Sequence, residues 1–294
     1  MSAQGYAEFL KSIGHHVLQE KDVYWFNSHS RIYMSFPFTH EVVPQQINTS
    51  SIFKHKGVVI RHPCPLNMGR SSFKITVNNP DYDLTSLSAK SRNQTRRGLE
   101  NCKIRELSKH ELLADAPQLN RETLNRQDRL LTEKQQQYWD NYYQKIVLAE
   151  GATSWGAFVH NELAAFLISF RMGDCENILI VRSKTALLKY YPNNGLIYDF
   201  VYQKMRSPGI NEISIGLESI QADMESLDKF KTGMGFKKVS IGQCIIFHPW
   251  IARFLSPLSV KILKRSLLPF ANKKESLAKL YGLLEWYEEQ EGFN

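Results

Sequence analysis

From Thr153 to Phe247 the chain runs through an order of elements that few folds accommodate: strand, strand, strand, helix, strand, helix, strand. Trp155 to Val159 and Leu163 to Arg171 flank His160-Asn161-Glu162, a polar interruption that predicts a hairpin turn. Glu176 to Arg182 supplies a third β-rich run. Tyr190-Tyr191-Pro192-Asn193-Asn194-Gly195 then leads into a helix to about Met205. Glu212 to Ile215, a helix over Ser226 to Met234, and a strand from Phe236 to Phe247 complete the series.

Upstream, a strand near Cys102 to Leu107 precedes helices around Lys109 to Gln127 and Thr132 to Leu148. Residues 1 to about 85 predict a smaller α+β segment. It has a helix over Tyr6 to Leu18 and strands at Val23–Phe26, Arg31–Phe36, Gly57–Arg61 and Phe73–Val77. A basic helix from about Leu84 to Glu100, ending near Gly98, links the two parts. The expected organisation is therefore 1–85, 86–248 and a helical 249–294.

The last helix-to-strand junction carries the chemistry. Leu227, Phe230 and Met234 recur at helical spacing and predict a core-facing side, with Gly233 and Gly235 giving backbone freedom at the helix end. The stretch resembles the final junction of the GNAT acyltransferase superfamily, whose pattern is Tyr-x-x-x-Gly-Phe. Aligned on Gly235-Phe236, Lys231 takes the tyrosine's position, and the Phe230-Lys231 pair after Ser226-Leu227 is similar to the FemABX branch. The element order over residues 102–248 matches the GNAT core as well. The resemblance implies an α+β fold with a mixed, mostly antiparallel sheet flanked by helices. The smaller 1–85 segment would be a shortened first GNAT-like unit.

The resemblance further implies transfer of an acyl group from acyl-CoA or aminoacyl-tRNA to an amine, on a cell-envelope or polysaccharide precursor. Lys231 would stabilise charge on the acyl carbonyl, beside a β-bulge or splayed strand edge near Leu179 to Arg182. Neither donor would be a permanently bound cofactor. Amide formation needs a proton acceptor, and among Glu218, Asp223 and Glu225 the best placed is Glu218, just past a strand end; its alternative is a loop carboxylate in solvent or near Lys229. Asn193, Asn194 and Gly195 occupy the position where GNAT enzymes bind the CoA pyrophosphate, at a helix N-terminus suited to anions. The fuller glycine-rich family pattern is absent, Pro192 removes one donor, and Asn193 or Asn194 could instead cap the helix. Tyr198 would line the substrate site.

A net charge of +8 favours anionic partners, and the excess is concentrated. Seven basic residues lie between Ser88 and Lys109, where Arg92 and Arg96 share a helix face and, with Arg97, suit phosphate contacts. A similar Ser-x-x-x-Arg basic helix occurs at the inter-domain junction of FemABX sequences. A solvated helix with scattered cations is the alternative. Six more cations and no acid lie between Trp250 and Lys274, interleaved with large apolar residues. That segment either covers the sheet as a helix pair or lies on an anionic membrane, where it could meet a lipid-linked acceptor. Four dispersed cysteines, no metal-ligand spacing, no leader-like N-terminus and no apolar run of membrane-spanning length predict a cytoplasmic protein, with peripheral contact at the inner face of the membrane as an option. Against catalysis stands a non-catalytic GNAT-fold module that binds RNA or an anionic membrane surface.

Overall fold

The computed structural model describes residues 3–29, 31–220, 225–271 and 275–290. In chain order the first elements are α1 (Gln4–Ser12), β1 (Val17–Glu20), β2 (Val23–His29), β3 (Ile32–Phe36), α2 (Thr49–Lys54), β4 (Val59–Cys64) and β5 (Arg70–Val77). The middle of the chain forms α3 (Ala89–Asn101), β6 (Lys103–Glu106), α4 (Lys109–Arg126), α5 (Glu133–Ile146), β7 (Ala152–Val159), β8 (Glu162–Met172) and β9 (Cys175–Ser183). Then come α6 (Pro192–Lys204), β10 (Glu212–Leu217), α7 (Glu225–Gly233), β11 (Lys237–Phe247), α8 (Pro249–Ala252), α9 (Pro257–Ala271) and α10 (Glu275–Glu289).

These elements group into two compact units, each discontinuous in sequence. The first unit combines Met1–Gly14, Ile75–Gly216 and Lys229–Lys237. Its strands run in the order β10-β9-β8-β7-β6, antiparallel except for the parallel pair β9 and β10. Leu163 to Phe170 on β8 is buried at every position, because α4 and α6 both pack against this strand. The turn between β7 and β8 places His160 at φ 49° and Asn161 at φ 65°, the two left-handed residues of a tight hairpin. Reciprocal capping boxes start α4 (Ser108 with Glu111) and α5 (Thr132 with Gln135).

The second unit combines His15–Lys74, Leu217–Asp228 and Lys238–Asn294. Its strands run β1-β2-β3-β4-β11, with β3 and β4 parallel and the other pairs antiparallel. Val59, Ile245, Phe247 and Val260 form one core with Leu283, Leu284 and Trp286 of α10. Residues 1–85 thus do not form a unit of their own: the strands of 15–74 associate with the C-terminal helices, while β5 is divided between the units. The expected helix to Leu18 stops at Ser12, because Gly14 takes φ 92° and Val17–Glu20 pairs as a strand.

Candidate functional site

The first unit has a notch in its sheet. The parallel ladder between β9 and β10 extends only over Cys175–Asn177 against Glu212–Ser214. Beyond it β9 continues through Ile178 to Ser183, and β10 continues past Ser214. On the other side of β9 the register with β8 shifts: Ile168 faces Ile180 and Ser169 faces Ile178, so Leu179 is the extra residue of a β-bulge. A bulge increases local twist, and the pairing of β9 with β10 ends beside it. Main-chain groups beyond the end of the ladder need partners other than each other. Gly216, at φ 110°, has open space where a side chain would project. The bulge and the splayed edge fall at the expected Leu179–Arg182.

At the far end of β9 a polar cluster closes around Ser183, which is buried. Its N–H donates to Thr123 Oγ1 (2.9 Å), and that hydroxyl donates to the Ser183 carbonyl (3.0 Å). Ser183 Oγ accepts from Arg126 Nη2 (3.1 Å) and Asn193 Nδ2 (3.2 Å). Arg126 Nη1 also donates to Thr185 Oγ1 (2.8 Å). Asn193 Oδ1 is left buried with no hydrogen-bond partner among the described residues. One residue back, Arg182 Nε donates to Asn120 Oδ1 (2.6 Å), and its guanidinium lies 5.5 Å over the Trp139 ring. Burial lowers the pKa of Arg182 and raises that of Tyr143, whose buried hydroxyl has no partner among the described residues. None of Asn120, Thr123, Arg126 or Ser183 stood out in the sequence; the only trace is the Asn120, Thr123, Arg126 spacing, one face of α4.

The start of α6 is not capped by either asparagine. Tyr191, at φ 56°, occupies the N-cap without a side-chain cap bond, and Pro192 opens the helix. Asn193 and Asn194 therefore lie inside the first turn and cap nothing. Asn193 joins the Ser183 cluster, whereas Asn194 Nδ2 reaches Met234 Sδ (3.5 Å). Gly195 faces α3: a Cβ there would lie 3.1 Å from the Gly98 carbonyl carbon. Gly98 itself does not end its helix, which continues to Asn101.

Of the α3 cations, Arg92 is held by its own chain. Its Nε donates to the Leu84 carbonyl (2.9 Å), and Nη2 to those of Leu87 (3.1 Å) and Thr85 (3.3 Å). This corrects its pairing with Arg96 as a phosphate contact, since the guanidinium is turned onto main-chain oxygens before α3. Arg96 and Arg97 are exposed. The Arg97 guanidinium lies 4.7 Å over the Tyr191 ring and donates to the Tyr191 hydroxyl (3.3 Å). Tyr198 sits between the rings of Tyr82 (5.7 Å) and Tyr202 (5.8 Å) and is largely buried, and that burial raises its pKa.

Lys231 lies in the last turn of α7 and is half-buried. Its carbonyl accepts from the N–H groups of Met234 (3.0 Å) and Phe236 (3.3 Å), with Gly235 at φ 86° turning the chain into β11. Gly233 serves closeness instead of freedom, because a Cβ there would meet Ser91 Oγ at 2.6 Å. The expected apolar face is partial: Met234 is fully buried, Phe230 half-buried, and Leu227 exposed.

Glu218 belongs to the second unit. Its Oε2 accepts from Arg70 Nη1 and Ser72 Oγ, both at 2.7 Å, and its carbonyl accepts from Arg61 Nη2 (2.7 Å). Gln243 joins the same network, accepting from Arg61 Nε (2.7 Å) and donating to Ser72 Oγ (2.9 Å). The guanidinium groups of Arg61 and Arg70 lie 4.7 and 4.3 Å over the ring of Trp286. Burial pulls the Arg61 pKa down to about 10. A solvated loop carboxylate is excluded by these contacts; Oε1 is the oxygen of Glu218 that makes no hydrogen bond among the described residues. Asp223 lies outside the described residues, and Glu225 is exposed at the start of α7.

No family model and no curated protein matches the sequence. Solved structures do match by shape. FemX superposes with a TM-score of 0.57 over 84% of this chain and 92% of its own, at 11% identity. The C-terminal domain of an assigned lysylphosphatidylglycerol synthetase from Agrobacterium fabrum gives 0.55 over 82% and 87%, at 12% identity. L-PGS from Bacillus licheniformis gives 0.52 over 82% and 87%, at 13% identity. At such identities the likeness is one of fold.

Proposed function

We propose that this GNAT-type, FemX-like fold serves an N-acyltransferase or aminoacyltransferase, moving an acyl group from acyl-CoA or aminoacyl-tRNA onto an amine. The observation that carries the proposal is the notch between β9 and β10, where the ladder ends after three pairs beside the bulge at Leu179, so that the main chains beyond Asn177 and Ser214 are not paired with each other. Main-chain donors on such edges, fixed before the reaction, suit an acyl carbonyl whose oxygen gains charge as the carbonyl carbon becomes tetrahedral. The amine nitrogen bonds to that carbon, and the acyl–sulfur bond of a thioester or the acyl–oxygen bond of a charged tRNA breaks. The proton leaving the amine passes to a base and the leaving group takes one up.

Within this proposal Lys231 places a cation against the developing oxyanion, and a water accepts the amine proton. Tyr198 lines the substrate cleft, while Arg96, Arg97 and the first turn of α6 with Asn193 hold phosphate. Exposed Lys90, Arg96 and Arg97 along α3 favour a donor with a phosphate backbone. A cell-envelope or polysaccharide amine as acceptor rests on the FemX-like fold alone.

The test uses the purified full chain with acetyl-CoA and with charged tRNA in separate incubations. Binding of each donor is measured first, then its consumption when amines are added. One donor should bind and turn over, and if it is tRNA its affinity should fall steeply with salt. Salt-sensitive RNA binding without any acyl transfer would replace the enzyme by an RNA-binding module, and binding of neither donor would sink both.

A further inference from the structure

We propose that α8 and α9 form a docking surface for an anionic lipid bilayer, lying in the plane of the headgroups. Helix α9 is firmly seated on one side only. Val260 is fully buried in the core with Leu283, Leu284 and Trp286, and Leu267 packs beside it. Lys264 on the same side pairs with Glu288 (2.8 Å) and Glu285 (3.6 Å) of α10. The opposite side is apolar and uncovered. Trp250, Phe254, Leu258, Ile262 and Leu268 are each more than half exposed. Leu258, Ile262, Arg265 and Pro269 follow one another at helical spacing along this outer face. Scattered exposed apolar residues are ordinary on a protein surface, whereas several large ones gathered on one helix face mark a contact surface.

Charge selects the partner. Residues 250–271 carry Arg253, Lys261, Lys264 and Arg265 and no acid. Lys264 is committed to α10, while Arg253, Lys261 and Arg265 are exposed around the apolar stripe. Arg253 bends over Trp250 (5.6 Å) and Phe254 (5.3 Å), which holds a cation at the edge of two aromatic rings. Apolar residues that enter the acyl boundary, aromatics at headgroup depth and basic residues for anionic lipid are the requirements of an interfacial helix. A second copy docking through the same face would bring these cations against one another. Among the described residues no helix is long and apolar enough to cross a membrane, so the contact is superficial.

The experiment is vesicle co-sedimentation of the full chain on phosphatidylcholine vesicles with and without phosphatidylglycerol. It needs neither acyl donor nor acceptor, so it stands or falls apart from the transferase proposal. The protein should partition onto the anionic vesicles and be released by salt. The Arg253→Gln, Lys261→Gln, Arg265→Gln triple variant should bind roughly 100-fold more weakly, from about fivefold per charge. Leu258→Ser with Ile262→Ser should abolish binding while leaving the circular dichroism spectrum unchanged, since both side chains are exposed. Equal partitioning with and without phosphatidylglycerol would overturn the proposal. So would a dimer in vesicle-free buffer that Ile262→Ser breaks, because the stripe would then be covered by another copy.

Discussion

Gly98 of α3 and Gly195 of α6 meet backbone to backbone: a Cβ on Gly98 would lie 2.6 Å from the Tyr191 carbonyl oxygen and 2.9 Å from the Gly195 nitrogen. Neither atom belongs to a flexible side chain, so the helices themselves would have to separate. Gly98→Ala should therefore lower stability by about 1–3 kcal/mol despite alanine's better helix propensity. Gly195→Ala, with its nearest contact at 3.1 Å, should cost less. Urea denaturation of both variants checks the order, and a stabilised Gly98→Ala would contradict the close approach.

Arg92 should behave as a structural residue. Removing its guanidinium strips partners from the carbonyls of Leu84, Thr85 and Leu87. Arg92→Ala should destabilise by roughly 1–3 kcal/mol, whereas Arg96→Ala, at an exposed site, should change stability by no more than about 0.5 kcal/mol. Melting temperatures of the two variants distinguish them.

His62 predicts acid sensitivity. The ring is buried, with Nδ1–H donating to the Pro63 carbonyl (2.8 Å) and Nε2 without a partner among the described residues. Burial disfavours the imidazolium and pulls the native pKa from 6.5 down to about 4. The folded state thus binds this proton less readily than the unfolded chain. Stability from the neutral ring is present above pH 6.5 and is lost as pH falls toward 4, by roughly 3 kcal/mol. His62→Gln should flatten the loss between those limits in denaturation series at several pH values. An unchanged slope would mean that His62 is not its source.

Lys231 carries the catalytic proposal. If its ammonium stabilises the oxyanion, Lys231→Ala should reduce kcat by about 10²–10³ with KM little changed. Partial recovery in Lys231→Arg would support charge as the cause. A variant with normal kcat would remove Lys231 from the mechanism and leave the fold untouched.

The four cysteines should be inert in the native protein. All are buried, and burial lifts the thiol pKa to about 12 at Cys64 and about 11 at Cys102 and Cys244. A thiol reagent at neutral pH should label none until denaturant is added. Rapid labelling of the folded chain would contradict the packing around them.

Local features were legible because their causes lie within a few residues. The β7–β8 hairpin could be read from His160-Asn161, and the strand–helix order through β11 from periodicity and turn residues. The turn after α7 was readable from Gly235, whose positive φ a glycine accepts without strain. The splayed edge near Leu179 was anticipated through a family resemblance, although the residues around it contain no bulge signal.

Long-range partners were not legible in this way. Glu218 looked like a solvated carboxylate or a free base until Arg70 and Ser72 met it from a strand far earlier in the chain. Gly195 read as part of an anion cradle with no sign that α3 would come against it, and Arg92 as a phosphate ligand until its own upstream turn folded beneath it. Side-chain periodicity, capping and turn chemistry act between neighbours along the chain, so the order of residues suffices to place helices and strands. Which carboxylate gains a guanidinium, and which glycine a second helix, depends on surfaces that touch only after the chain has closed on itself, and nothing in the local pattern encodes that meeting.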